Sequence, residues 1–139
     1  MLQKAPVTTI MTEHVVTLKK NDSLEKAEKL FKKHHIRHIP VVNGGTIIGM
    51  LSYTDLLRIS FADSAFEDDE FVDSVVYNMF TIEQVMVKKI ISVNPSTSIK
   101  EVAEILAKSE FHALPIVDNN TLVGIVTSTD LINYLLKQF

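Results

Sequence analysis

The 139-residue sequence contains no cysteine and only four prolines and four glycines. Without cysteine, disulfide bonds and thiolate chemistry are excluded, and nothing indicates a secretory route, so a cytoplasmic setting is expected. The apolar runs are too short for a membrane-spanning helix, and the N-terminal segment MLQKAPVTTIM lacks the apolar centre of a signal peptide. The composition therefore predicts a soluble globular protein with no membrane partner.

Positive charge is missing from one segment, since residues 59–87 have no lysine or arginine and contain seven acidic residues. When those seven are subtracted from the 17 acidic residues of the chain, ten remain against 14 basic residues. This mild excess is not the concentrated basic face that duplex nucleic acid requires. We therefore do not expect duplex nucleic acid to be a partner.

An internal repeat organises the remaining sequence. The segment Ile39–Asp55, IPVVNGGTIIGMLSYTD, returns as Leu114–Asp130, LPIVDNNTLVGIVTSTD, at an offset of 75 residues. A repeat this regular decides the architecture before any single motif does. Half of this chain would be small for an independent core, so the two copies are expected to share one. Anchors at the same offset are Met11 and Met86, Ser23 and Ser98, Pro40 and Pro115, Gly49 and Gly124, and Thr54 and Thr129.

Each copy predicts the order strand, helix, strand, strand, helix, which makes the fold class α/β. Ser23 and Ser98 are the predicted helix N-caps, and Ser98 with Glu101 has the spacing of a capping box. Polar turns with residues suited to positive φ separate the second and third strands. The predicted strands of the first copy are Val15–Leu18, His38–Val42 and Thr46–Leu51, and in the second copy Ile90–Val93 and Thr121–Val126 match the first and third.

The acidic segment between the copies is too apolar for a solvated linker. We predict that a helix continues from Asp55 to about Ala62, followed by a bend at Ser64–Asp69 and a second helix over Glu70–Met79. Thr81 with Gln84 is predicted to cap the lead-in turn of the second copy.

The duplicated unit, its Ile-Pro-Val-Val and Leu-Pro-Ile-Val strands, and the closing Gly-x-x-Ser/Thr-x-x-Asp resemble a tandem pair of CBS domains, the Bateman module. The resemblance implies two βαββα repeats packed as a pseudo-two-fold pair, with repeat 1 at residues 6–60, an acidic helical connector at 61–80 and repeat 2 at 81–139. It also implies two clefts between the repeats, which in many members bind adenosine ligands such as AMP, ADP, ATP, NAD or S-adenosylmethionine. The family implies regulation of a partner rather than an enzyme.

The motifs Ser52-x-x-Asp55 and Thr127-x-x-Asp130 have two interpretations. As capping boxes they would serve stability alone. The resemblance implies that the aspartates grip the ribose diol of the ligand, with Ser52 and Thr127 as further candidate ribose contacts, and a carboxylate can exchange between the two roles. The neighbouring threonines of each motif, Thr54 and Thr129, are further candidate ligand contacts.

Candidate phosphate contacts lie just before each proline strand. They are Arg37, His38 and His112, and Arg37 is the best of them because a guanidinium binds phosphate oxygens bidentately. The alternative is a basic residue solvated at a strand end. Because Ala113 stands where His38 stands, the two sites are not expected to be equivalent. Candidate adenine contacts, for which a core role is at least as well supported, are Val16, Thr17, Ile36, Pro40, Ile91, Ser92, Phe111 and Pro115.

The histidines and the acidic run carry weak metal hypotheses. His34 and His38 are four residues apart, but the chain from Ile36 to Pro40 reads as extended, which breaks the spacing needed for chelation on a helix. The run Asp68–Glu70 is explained by an exposed acidic face. We therefore predict no tightly bound metal.

Two functional classes remain open. The first is a stand-alone regulatory module that binds an adenine nucleotide (AMP, ADP or ATP) and signals to an unknown protein partner. The second is a ligand-independent dimerisation or adaptor module. A hydrolase is not favoured because the sequence has no Ser/His/Asp constellation and no Gly-rich phosphate loop. The helices after Asp55 and Asp130 carry more apolar residues than one face needs, which predicts a homodimer.

Overall fold

The computed structural model describes residues 5–62, 77–109 and 111–139. The chain divides into two compact units that do not follow sequence order. One is Val16–Ile90, and the other joins Ile91–Phe139 with the residues that precede Val16. The bend predicted at Ser64–Asp69 and most of the second connector helix lie outside the described residues, although residues 77–79 are helical. The domain limits 6–60, 61–80 and 81–139 remain a prediction.

Each unit contains one copy of the predicted α/β pattern. The elements of the Val16–Ile90 unit are β1 (Leu18–Lys19), α1 (Leu24–His34), β2 (His38–Asn43), β3 (Thr46–Ser52), α2 (Tyr53–Ala62) and α3 (Ile82–Val85). Those of the other unit are a 3-10 turn (Val7–Thr9), α4 (Ile99–Lys108), β4 (Ala113–Asp118), β5 (Thr121–Thr127) and α5 (Ser128–Leu136).

The sheet of each unit is built on an antiparallel hairpin. β1 runs parallel to β2, which pairs with β3, and His38 lies opposite Ser52 at the open end. In the β4–β5 hairpin, Ala113 lies opposite Thr127. The register shifts at the same place in both hairpins, between Val41 and Val42 and between Ile116 and Val117. The offset of 75 therefore holds at the level of strand register.

The predicted first strand of each copy is wrong in its limits. β1 begins at Leu18, and the predicted strand Ile90–Val93 is reduced to one bridge between Val93 and Ile116. The chain turns directly after β1 and after Val93, where side-chain oxygens accept backbone N–H groups. Asp22 Oδ2 accepts from the Lys19 N–H at 2.8 Å, and Asn94 Oδ1 accepts from the Ser96 N–H at 2.9 Å.

Most of the predicted caps are confirmed. Ser23 and Thr81 accept the backbone N–H groups three residues on, and Thr81 forms a complete capping box with Gln84. Ser98 accepts from the Glu101 N–H at 3.1 Å, but in the described residues Glu101 does not complete the predicted box. His35 adopts a left-handed conformation and ends α1, so His34 and His38 do not share a helix.

The lead-in segment of each copy packs into the unit built around the other copy. The Val7 N–H donates to the Thr97 carbonyl at 2.7 Å, and Thr12 exchanges two backbone hydrogen bonds with Ile125. At the equivalent places of the other unit, Val87 exchanges two such bonds with Met50. The lead-ins thus extend the two sheets in the same way.

Two glycines make this packing possible. The side chain of Met86 lies where a Cβ on Gly49 would be, and the Met11 Sδ is 2.6 Å from the equivalent position on Gly124. The described buried residues form one core cluster in each unit. Val7 belongs to the core of the Ile91–Phe139 unit and Ile82 to that of the Val16–Ile90 unit.

Candidate functional site

The predicted contact residues of the first copy gather at one end of the β1–β3 sheet, which we call the first edge. There β2 begins at His38 and β3 ends at Ser52, directly opposite it. The Tyr53 N–H at the start of α2 donates to the Arg37 carbonyl at 2.8 Å. This bond fixes the residue before β2 beside the helix that carries Asp55.

The second copy repeats this frame at the open end of the β4–β5 hairpin, which we call the second edge. Ala113 lies opposite Thr127, and the Ser128 N–H donates to the His112 carbonyl at 2.9 Å. The backbone is thus the same at both edges, and the edges differ in side chains.

A complete capping box forms at the first edge. Ser52 Oγ accepts from the Asp55 N–H at 3.0 Å, and Asp55 Oδ2 accepts from the Ser52 N–H at 3.4 Å. The Asp55 side chain keeps 15% of its surface exposed, so the carboxylate is sheltered but reachable. The motif therefore satisfies the start of α2 and presents a carboxylate at the same time.

At the second edge the capping box is also complete, and the bond from the N-cap N–H to the aspartate is shorter than at the first edge. Thr127 Oγ1 accepts from the Asp130 N–H at 3.1 Å, and Asp130 Oδ2 accepts from the Thr127 N–H at 2.9 Å. Within the described residues, Asp130 Oδ1 accepts no hydrogen bond. One oxygen thus serves the helix while the other is open to a donor.

Arg58 is a residue of the first edge that sequence reasoning missed. Its guanidinium lies 3.5 Å from Asp55 Oδ1, one helical turn further along α2, and its side chain is 74% exposed. The equivalent position in the second copy is Asn133. Comparing the copies at the offset of 75 would have revealed this difference in charge.

The candidate phosphate contacts are accessible. Arg37 and His112 are exposed and His38 is half-buried. In the second copy the His38 position is the buried Ala113. The first edge thus brings Arg37 and His38 to the same place as Ser52, and the second edge supplies His112 alone.

Two of the candidate adenine contacts directly precede β1. Because β1 runs parallel to β2, Val16 and Thr17 reach the first edge, where they are half-buried with Ile36. Their counterparts at the second edge are more open: Ile91, Ser92 and Phe111 are exposed. Pro40 and Pro115 are buried two residues inside their strands, opposite Met50 and Ile125.

Two carboxylates outside the edges have lowered pKa values. Burial raises the pKa of Glu28, but hydrogen bonds from the Tyr77 hydroxyl and the Lys32 ammonium outweigh it, so the pKa falls below its ordinary value. Burial likewise raises the pKa of Asp22, and the Lys19 N–H with Lys26 reverses the effect. The Glu28–Tyr77 bond ties the end of the connector to α1.

Among residues 5–62, 77–109 and 111–139, no three His, Asp or Glu side chains are grouped so that they could hold a metal ion. In the same part of the chain, every helix is too short or too polar to cross a membrane.

One protein family matches both halves of the chain. The CBS domain family profile matches residues 7–62 and 82–137. The CBS domain-containing protein YhcV of Bacillus subtilis is 34% identical over 121 residues, which cover 87% of this chain and 79% of YhcV. Three further curated relatives are much longer, since the chain spans 42%, 33% and 24% of their length.

Solved structures agree with this match. The protein AcuB from Vibrio cholerae superposes with a TM-score of 0.79 at 28% identity, over 96% of this chain and 91% of AcuB. The CBS domain pair of protein MJ0100, solved with 5′-methylthioadenosine and S-adenosyl-L-methionine, has a TM-score of 0.81 at 26% identity. That match covers 97% of this chain and 98% of the pair.

Proposed function

This chain belongs to the CBS domain family, with one domain in each half, and we propose that it is a regulatory module that binds adenosine ligands at its two edges. The proposed ligands are adenine nucleotides of the AMP, ADP and ATP class. Binding would change how the module engages a protein partner, and no catalysis is proposed for the chain.

The observation that carries the proposal is the form of the two capping boxes. Each aspartate holds its helix with Oδ2, while Oδ1 is directed to an exposed guanidinium in one case and to no described partner in the other. A ribose diol offers two hydroxyl donors, which a carboxylate accepts with two oxygens. In both copies the carboxylate is partly buried and still reachable from solvent.

The ligand class rests on two supports. The CBS pair of MJ0100 was solved with two adenosine derivatives. Arg37, His38 and His112 supply donors beside the helix N-termini, where the helix dipole also favours anions. Half-buried Val16 and Ile36 would cover the adenine ring at the first edge.

We further propose that the module is a homodimer. In α5, the side chains of Ile132, Leu135 and Leu136 are more than half exposed. Apolar surface of this kind on a small domain commonly marks a protein interface. The helix α2 contributes less than its sequence suggested, because Leu56 is fully buried in its own core.

The proposed function is tested by calorimetric titration of AMP, ADP and ATP into the wild type, Asp55→Asn and Asp130→Asn. Asparagine retains an oxygen that can accept the capping N–H, so the variants isolate the loss of the charged acceptor. We expect at least one of the two variants to lose a nucleotide-binding event or to weaken it by roughly ten- to a hundredfold. Ser23→Ala serves as a control, because it removes the hydroxyl cap of α1, which belongs to neither edge, and keeps both carboxylates.

If nucleotides bind none of the proteins, or bind all of them alike, the proposed site is overturned. The exposed apolar side chains of α5 would then favour the second function, a ligand-independent dimerisation or adaptor module. Light scattering at tens of micromolar protein checks the dimer separately, and a monomer mass contradicts it.

A further inference from the structure

The two edges share one backbone frame but carry opposite charge. At the first edge, the guanidinium of Arg58 lies 3.5 Å from Asp55 Oδ1, and the exposed Arg37 directly precedes β2, with its backbone carbonyl bonded to the start of α2. At the second edge, Asp130 has no ion pair within the described residues, and the positions equivalent to the two arginines are His112 and Asn133. Among these residues, with histidine counted neutral, the first edge carries a net charge of +1 and the second a net charge of −1.

The helix termini do not account for this contrast. The carbonyls of Arg37 and His112 accept the first N–H of α2 and α5 at 2.8 and 2.9 Å, and both helices begin with a complete box. The dipole contribution is therefore matched between the edges. The edges therefore differ in side-chain charge alone among these electrostatic contributions. This charge attracts or repels the 5′ substituent of a bound adenosine.

We propose that the edges select ligands by charge, the first taking an adenosine 5′-phosphate and the second a phosphate-free adenosine that is neutral or cationic at its 5′ substituent. This inference rests on the proposed function. At the first edge Arg58 offsets the charge of Asp55, so that phosphate is not repelled, and Arg37 is free to bind its oxygens bidentately. At the second edge an uncompensated carboxylate repels phosphate and attracts a cation.

The experiment examines one edge at a time in the full chain. Asp130→Asn leaves the first edge intact, and Asp55→Asn leaves the second intact. Each protein is titrated calorimetrically with AMP and with 5′-amino-5′-deoxyadenosine, which carries a protonated amine in place of the phosphate. We expect the Asp130→Asn protein to prefer AMP by roughly tenfold or more and the Asp55→Asn protein to prefer the amine.

A charge exchange provides the matched control. In the Asp130→Asn background, Arg37→His with Arg58→Asn removes both arginine charges from the first edge, as in the second copy, and the preference for AMP should be lost. Raising the salt concentration should weaken AMP binding at the unmodified first edge, since charged contacts near the surface are screened.

The possible results separate the two claims. If both single-edge proteins bind the two probes with the same ratio, or with the opposite ratio, charge selection is overturned and adenosine binding stands. If neither probe binds the wild type, the proposed function fails and charge selection fails with it.

Discussion

At the scale of single residues, one side chain in each copy has two roles. Asp55 and Asp130 occupy the third position of a helix. An acid there accepts the N-cap N–H, and its negative charge interacts favourably with the positive end of the helix dipole. Only one carboxylate oxygen is needed for the cap. The second lies 3.5 Å from the exposed guanidinium of Arg58 in Asp55 and has no hydrogen-bond partner among the described residues in Asp130. The hydroxyls of Ser52 and Thr127 accept the N–H groups of the two aspartates, so their removal measures the strength of the cap.

Thr127→Ala is expected to lower the free energy of unfolding by about 1 kcal/mol, because the Asp130 N–H loses its acceptor at 3.1 Å. Urea denaturation followed by circular dichroism measures the change. Thr129→Ala is the matched control, since Thr129 is exposed in the same turn of α5. Equal stability of the two variants would show that the hydroxyl of Thr127 contributes nothing to the cap.

The prediction from sequence was most successful at this scale. The Thr81–Gln84 and Ser52–Asp55 boxes follow from residue types at fixed spacing, because a cap is a local interaction. Arg58 was missed because a lone arginine on an exposed helix face has no pattern of its own. The role of Arg58 becomes visible only from its ion pair with Asp55, one turn away, and from the contrast with Asn133 in the other copy.

At the scale of elements, the hairpins followed from the repeat and the first strands did not. The β2–β3 and β4–β5 pairs are continuous apolar runs separated by turn residues, a strong local signal. β1 is two residues long and is held by its parallel partner β2, so its limits depend on a contact far away in sequence. Sequence patterns do not carry that information.

The close packing of methionine on glycine should make Gly124→Ala destabilising by about 1 to 3 kcal/mol. An added Cβ would lie 2.6 Å from the Met11 Sδ and 3.0 Å from the backbone carbonyl oxygen of Thr12, which cannot move alone. Gly49→Ala should cost less, because its three nearest atoms all belong to the Met86 side chain. Urea denaturation checks the order, and a larger loss for Gly49→Ala would contradict it.

The bond between Tyr77 and Glu28 should make stability depend on pH. Because the pKa of Glu28 is lowered in the folded protein, its contribution is complete above the ordinary pKa of 4.5 and is lost as the pH falls through the lower folded value. Tyr77→Phe should therefore cost about 1 to 2 kcal/mol at pH 7 and progressively less below pH 4.5. A cost that stays constant from pH 7 to pH 3 would contradict the role of the ionised carboxylate.

At the scale of the whole molecule, sequence order and structural units differ. The lead-in of each copy completes the core built around the other, so a boundary drawn along the chain cuts through both units. The repeat revealed the duplication but not this exchange, because a lead-in has the same sequence whichever copy it packs on. The paired glycines and methionines at the offset of 75 become informative only once the packing is known.

Val7 and Ile82 are equivalent lead-in residues, both fully buried, and they test the exchange. Val7→Ala should destabilise by roughly 2 kcal/mol and raise hydrogen exchange in α4, β4 and β5 rather than in α1, β2 and β3. Ile82→Ala should show the reverse distribution. Mass spectrometry of the exchanged protein measures both, and increased exchange within the mutated copy itself would contradict the arrangement.

The central claim is that the carboxylates of Asp55 and Asp130 accept the ribose diol of an adenosine ligand. The most direct measurement is a calorimetric comparison of AMP with 2′-deoxy-AMP on the wild-type protein, because the two differ by one hydroxyl of that diol. We predict that AMP binds roughly tenfold or more tightly, since the missing hydroxyl leaves a charged acceptor without its partner. Equal affinities for the two nucleotides would contradict the account.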